Sequence, residues 1–149
     1  MPKVEIRPAI ATDINTIINF EHSYSSDYVW QMDFRQEDKE IIINFREVRL
    51  PRTAQVSYPK NYKNLADTWT QYDGFLVAEI SKDVIGYISL NKDKMLGTTW
   101  VSDLAVRKSH RRQGIGSTLV IVSQNWAKQN NSRRLIIEMQ PKNYPAIQL

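Results

Sequence analysis

Arg107, Lys108, His110, Arg111 and Arg112 crowd into six positions, followed at once by Gly114-Ile115-Gly116 and an amphipathic segment. A helix N-terminus already carries partial positive charge and favours acidic neighbours, so this charge has the wrong sign for the helix's own benefit. A bound anion would reverse that judgement. Glycines at 114 and 116 permit a tight turn and a close approach of backbone to ligand. The first N–H groups of the helix beyond them lack intrahelical partners. Backbone donors, helix dipole and two or three arginines together make a site for a phosphate or pyrophosphate. On these residues alone, a solvated basic loop that uses glycine for its turn is the alternative.

The elements around this turn follow from periodicity. "VEIR" at 4–7 alternates as a strand, and "TDINTIINF" reads as a helix with Thr12 as N-cap and Ile14, Ile17 and Ile18 on one face. Residues 21–34 are aromatic and polar without clear periodicity, and "KEIIINFREVRL" at 39–50 is strand-like. From 51 to 72 the pattern is poor, broken by Pro51 and Pro59, with a short helix around Leu65–Trp69. "FLVAEI", "VIGYISL" and "TTWVSDLAV" are three strands whose short connections suit antiparallel hairpins. A helix from about Gly116 to Lys128 carries Ile115, Leu119, Val122 and Trp126 as one apolar stripe, and Asn130 and Asn131 stop it. "RLIIEM" at 134–139 is a further strand. A strand–helix–strand unit across 98–139 makes its two strands parallel. The class is α/β (α+β), with a mixed twisted sheet flanked by helices.

Composition narrows the function. The chain has 149 residues, 42% of them hydrophobic and 24% charged, which suits one folded domain. No apolar run is long enough to cross a membrane, and "MPKVEIRPAI" is not a secretory signal, so a cytoplasmic location is expected. Without cysteine there is no disulfide, thiolate nucleophile or Cys-based metal site, and no metal is expected. The net charge of +4 concentrates at the one basic turn rather than along a face, which argues against nucleic acid as a partner.

The anion is not held by a P-loop, because GxxxxGK[ST] is absent, and Leu119 stands where a dinucleotide GxGxxG would need its third glycine. A strand, then R-x-x-G-x-G, then a helix is a different pattern. "RRQGIG" at 111–116 resembles the coenzyme A pyrophosphate loop of the GNAT family of N-acetyltransferases. The resemblance takes in the strand and helix at 4–20, the hairpins at 75–106 and the loop, helix and strand at 107–140. It also takes in "PKNYPAIQL", where Asn143, Ala146 and Leu149 match the family's N-x-x-A-x-x-L. It implies acetyl-CoA binding where two parallel strands splay apart. The backbone of Leu104, Ala105 and Val106 would pair with the pantetheine arm. Arg111, Arg112, Gln113, Gly114, Ile115, Gly116 and Ser117 would surround the pyrophosphate, and Asn143 would reach the pantetheine unless it simply caps a helix. The resemblance further implies a single N-acetyltransferase domain over 1–149 that is C-terminally incomplete. The last helix, two strands and the tyrosine that protonates the leaving thiolate would be missing, and the sheet edge at 134–140 would be free for a second copy.

Acetyl transfer needs a neutral amine, whereas a free alkylamine titrates near ~10.4. Glu138 and Asp103 are the candidate bases. Glu138 interrupts an apolar run on a strand expected to be buried, where a carboxylate is costly unless used or paired. "LIIEMQPKNYPAIQL" also resembles the matching segment of ribosomal-protein N-terminal acetyltransferases, in which that Glu is the base; a structural ion pair is the alternative reading. For the acceptor, Glu21, Tyr24, Tyr28 and Trp30, with Asp27 and Asp33, offer acidic groups among aromatics that suit a cationic amine, or else core aromatics and a solvated acidic loop. His22 could be a base, but reads first as an ordinary surface histidine. "NWAKQNN…IEMQPKNYPA" resembles streptothricin acetyltransferases, so the expected reaction is direct acetyl transfer to a primary amine of a small molecule or peptide. A non-catalytic acyl-CoA-binding protein is the other reading.

Overall fold

The computed structural model describes residues 2–93 and 95–149, so Lys94, in the connection between the second and third strands of the 75–106 region, lies outside the described residues. The chain forms two compact units, residues 1–22 with 60–138 and residues 23–59 with 139–149.

The first unit is built on a five-stranded sheet of β1 (Glu5–Pro8), β4 (Gly74–Ile80), β5 (Asp83–Asp93), β6 (Thr98–Val106) and β7 (Arg134–Ile137), in the order β1-β4-β5-β6-β7. Neighbours are antiparallel except β6 and β7, which are parallel as the strand–helix–strand reading requires. Residues 84–90 of β5 are all buried, which is why "VIGYISL" reads as an unbroken apolar run: this central strand is covered on both faces. Alternation along β4 divides the core. Phe75 and Val77 join Ile14, Ile17 and Phe20 of the α1 (Ala11–Ile18) segment and Leu65 of α2 (Leu65–Thr68). Leu76 and Ala78 face Ile115 and Leu119 of α3 (Ile115–Gln129).

Thr12 is not the N-cap of α1. Ile10 holds that position, and Asp13 at the third helical residue accepts the Ile10 N–H at 2.8 Å while pairing with Arg7. A short acid in the first turn reaches back to the cap N–H and meets the positive helix end. At the other side of the sheet the expected stops of α3 hold. Asn130 N–H bonds back to Trp126 and Ala127, Asn131 takes a left-handed φ of 61°, and Ser132 N–H closes onto Ala127. Gly74 is where β4 meets α3, because a Cβ there would lie 2.7 Å from the Trp126 ring. Among the described residues β7 is an edge strand, four residues long.

The second unit is a long hairpin of β2 (Tyr24–Glu37) and β3 (Glu40–Val56), with α4 (Tyr144–Ile147) packed against β2. Residues 21–34 therefore do have a period, which sets in only from Trp30: Trp30, Met32 and Phe34 alternate with Gln31, Asp33 and Arg35. Pro51 does not break β3. It lies where the register slips between Ser26 and Tyr28, at an irregularity that needs no ladder N–H.

Leu119 is fully buried and Ile121, two residues on, is 58% exposed. Leu119→Ala is expected to cost about 2–5 kcal/mol in urea unfolding, and Ile121→Ala less than about 0.5 kcal/mol. Equal losses for the two would contradict the packing of α3 on β4 and β5.

Candidate functional site

The β6–β7 ladder runs only from Thr98–Arg134 to Val101–Ile137. Residues 102–106 of β6 continue past its end, with β5 on one side and no strand on the other among the described residues. Leu104, Ala105 and Val106, the segment implied to pair with a pantetheine arm, therefore lie where the two parallel strands have stopped pairing. Immediately beyond comes the loop, and Gly114, with φ of 79°, turns the chain into α3. That conformation is cheap only for glycine. Thr118 N–H already bonds to the Gly114 carbonyl, so the N–H groups of Ile115, Gly116 and Ser117 are the first-turn donors of a 15-residue helix. Gln113 and Gly114 are exposed beside them.

The basic run divides in a way the sequence does not show. Arg107 forms a bidentate pair with Asp83 at 2.7 and 3.1 Å and lies over the Phe20 ring, and Lys108 pairs with Glu21 at 3.3 Å. Arg111 turns inward. Its Nε donates to the Val106 carbonyl at 2.9 Å and an Nη to the Glu21 carbonyl, and burial lowers its guanidinium from its ordinary value. Arg112 remains exposed with no ion pair among the described residues, held at a left-handed φ of 65°. Of the arginines expected around one anion, Arg107 is paired with Asp83, Arg111 braces the loop against β6 and residue 21, and Arg112 is exposed.

Asp103 projects from the same unpaired part of β6 and is buried. Its carboxylate accepts hydrogen bonds from Ser89 Oγ at 2.9 Å and Tyr72 Oη at 3.2 Å, and it lines a cavity of about 410 Å³. The opposite wall comes from residues 60–72, including Tyr62, Asn64 and Gln71, with Asn91 from β5. Burial, then the charge and hydrogen bond of Asp103, push the Tyr72 hydroxyl up to about 12, so it stays a donor. This wall comes from the stretch with the weakest sequence pattern, and only the isolated aromatics at 62, 69 and 72 mark it.

His22 is buried, contrary to the surface reading. It stacks on Tyr62 with ring centroids 3.7 Å apart, Nδ1 lies 2.9 Å from the Phe20 carbonyl and Nε2 lies 2.9 Å from Tyr87 Oη. A carbonyl only accepts, so Nδ1 carries the proton and Nε2 accepts from Tyr87. Glu21 lies against the basic loop through Lys108 rather than in the cavity.

The remaining site residues sit elsewhere. Glu138 stands one residue past β7 and is exposed, so the burial argument for it does not hold: the strand ends at Ile137, before the carboxylate. Tyr24, Tyr28, Trp30 and Asn143 belong to the second unit. There, Asn143 caps α4, accepting the Ala146 N–H at 3.3 Å. Tyr28 packs on Tyr144, Trp30 N–H bonds to the Pro141 carbonyl, Asp27 accepts from Thr53, and Asp33 pairs with Arg46. Among the described residues no three His, Cys, Asp or Glu side chains cluster to hold a metal, and no helix is long and apolar enough to cross a membrane.

Solved structures share this architecture. A nourseothricin acetyltransferase superposes with TM-score 0.79 at 20% identity, over 97% of this chain and 78% of that one. A putative streptothricin acetyltransferase from Bacillus anthracis, in complex with acetyl coenzyme A, gives 0.74 at 20% identity over 98% and 80%. The ribosomal-protein-S18-alanine N-acetyltransferase from Escherichia coli gives 0.66 at 14% identity over 98% and 73%. The fold is that of the acyl-CoA N-acyltransferases. By sequence, no curated relative matches significantly. The model of the acetyltransferase (GNAT) family does match, over residues 21–149, and the chain belongs to that family.

Burial lowers the His22 pKa, with Arg111 acting in the same sense and the Phe20 hydrogen bond and Asp103 opposing. The unfolded chain then binds a proton near pH ~6.5 that the folded one resists. Stability from this group is complete above that pH and is lost as the pH falls below it. Urea midpoints should decline from pH 7 to pH 5 in the parent chain and less steeply in His22→Gln. Parallel curves would contradict the assignment.

Proposed function

We propose that the chain transfers an acetyl group from acetyl-CoA directly to a primary amine of a small cationic molecule or a peptide. The observation that carries this reading is the coincidence, on residues 102–106 of β6, of an unpaired strand edge, a buried carboxylate opening on a cavity, and the following helix N-terminus. Ile115, Gly116 and Ser117 N–H and the Arg112 guanidinium hold the pyrophosphate, and Leu104, Ala105 and Val106 align the pantetheine arm as an added strand. Gln113 and Gly114 complete the loop, and Arg111 keeps it closed on Val106.

The acceptor enters the cavity beside Asp103. There Tyr72 and Ser89 donate to Asp103, Tyr72 and Asn91 line the cavity with it, and the carboxylate attracts a protonated amine and takes its proton. The amine nitrogen attacks the thioester carbonyl, the C–S bond breaks as the C–N bond forms, and the nitrogen's second proton passes to the departing thiolate, of pKa near ~8.5 as a free thiol. Glu138, exposed at the end of β7, is the second candidate base. The nourseothricin, streptothricin and ribosomal-protein acetyltransferases of similar fold support an amine acceptor of this breadth.

Coenzyme A release should be followed with nourseothricin, a streptothricin and an alanine-initiated peptide as acceptors. Asp103→Asn is expected to lower kcat by about 10²–10⁴-fold, with Glu138→Gln lowering it less. Arg112→Glu should raise KM for acetyl-CoA about 10- to 100-fold. Acetyl-CoA binding without turnover on any of the three amines would favour the non-catalytic reading. Unchanged kcat in Asp103→Asn would remove Asp103 from the chemistry.

A further inference from the structure

The β2–β3 hairpin carries two opposite faces. Directly paired residues share a face, so the register Met32–Phe45, Phe34–Ile43 and Gln36–Ile41 assembles one surface from six side chains, five of them apolar. Each of those five is more than half exposed, from 53% for Ile43 to 66% for Phe45. The other face carries Gln31, Asp33, Arg35, Asn44 and Arg46 with one apolar residue, Ile42, and Asp33 and Arg46 form an ion pair at 2.7 Å. Toward the base of the hairpin the apolar face is covered: Tyr144 packs on Tyr28 and donates to Glu47. Toward the tip it is bare.

We propose that this bare half-face is a homodimer interface, taking the same face of a second copy in an isologous two-fold contact. Area supports it. Large apolar side chains carry about 150–250 Å² each, so five that are more than half exposed present roughly 600 Å², against about 800 Å² per partner in a standard interface. The four-residue edge of β7 offers far less. The face itself bears no charge between Met32 and Phe45, so two copies bring no like charges together. The tip holds Glu37, Asp38 and Glu40 with Lys39. A two-fold centred near Phe34 and Ile43 brings the apolar pairs of the two copies together. The same acidic tip is repelled by an anionic lipid surface, which disfavours a membrane as occupant. A two-stranded hairpin is marginal in water by itself, and face-to-face packing at about 10 Å would give it a second layer.

The interface concerns the second unit alone and holds whether or not acetyl transfer is observed. Sedimentation of the full chain should show a dimer at about 100 µM, and Phe34→Asp should weaken it at least about tenfold with an unchanged circular dichroism spectrum. The chain has no cysteine, so single-cysteine variants report the geometry directly. Ile43→Cys should form a disulfide-linked dimer on oxidation, and Asn44→Cys, on the opposite face, should not. A monomer throughout would overturn the proposal, and one that co-sediments with phosphatidylcholine–phosphatidylserine vesicles would place a membrane there instead. A dimer insensitive to Phe34→Asp, or equal cross-linking at 43 and 44, would also overturn it.

Discussion

Two parallel strands that pair for four residues and then stop set the terms for everything else in the first unit. Between Val101 and Val106, β6 keeps β5 on one side and gains no strand on the other among the described residues. In most sheets an exposed backbone edge of this kind is a liability to be blunted. Here the chain leaves β6 and turns at Gly114 into α3, so the open edge and the helix N-terminus adjoin one loop. Asp103 belongs to that five-residue run, and its carboxylate is buried beside a cavity, accepting from Ser89 and Tyr72. A backbone edge, an anion-favouring helix end and a buried acid thus arise from one interruption of one ladder.

The basic turn works by division of labour. Arg107 and Lys108 are neutralised by Asp83 and Glu21, and Arg111 is drawn onto backbone carbonyls. These contacts hold a loop whose residue 112 has a positive φ that a side chain adopts only at a cost. The charge left over, Arg112 with three helix N–H groups, is modest and directional.

Strong local punctuation is what made parts of this molecule readable from sequence. Glycines at 114 and 116 after a basic run, an apolar stripe from Ile115, and paired asparagines at 130–131 bound α3 within a residue at each end. The parallel pairing of β6 and β7 follows from the helix between them. What stayed hidden depends on residues distant in sequence. Asp83 lies 24 residues before the arginine it neutralises, the cavity wall comes from 60–72, and His22 is buried by Tyr62 and Tyr87. Glu138 misled because β7 ends at Ile137, two residues short of the expected 134–139, and leaves the acid in water. The β2 alternation was masked by the irregular residues before Trp30, where the register slips.

Amide hydrogen exchange with and without acetyl-CoA tests the central claim most directly, because it reads the site residue by residue. The account predicts slowed exchange at Leu104 to Val106 and at Ile115 to Ser117 on saturation, with little change along β1 and β4. Protection confined to other segments, or none at saturating ligand, would contradict the assignment of the unpaired edge of β6 and the start of α3 as the acyl-donor site.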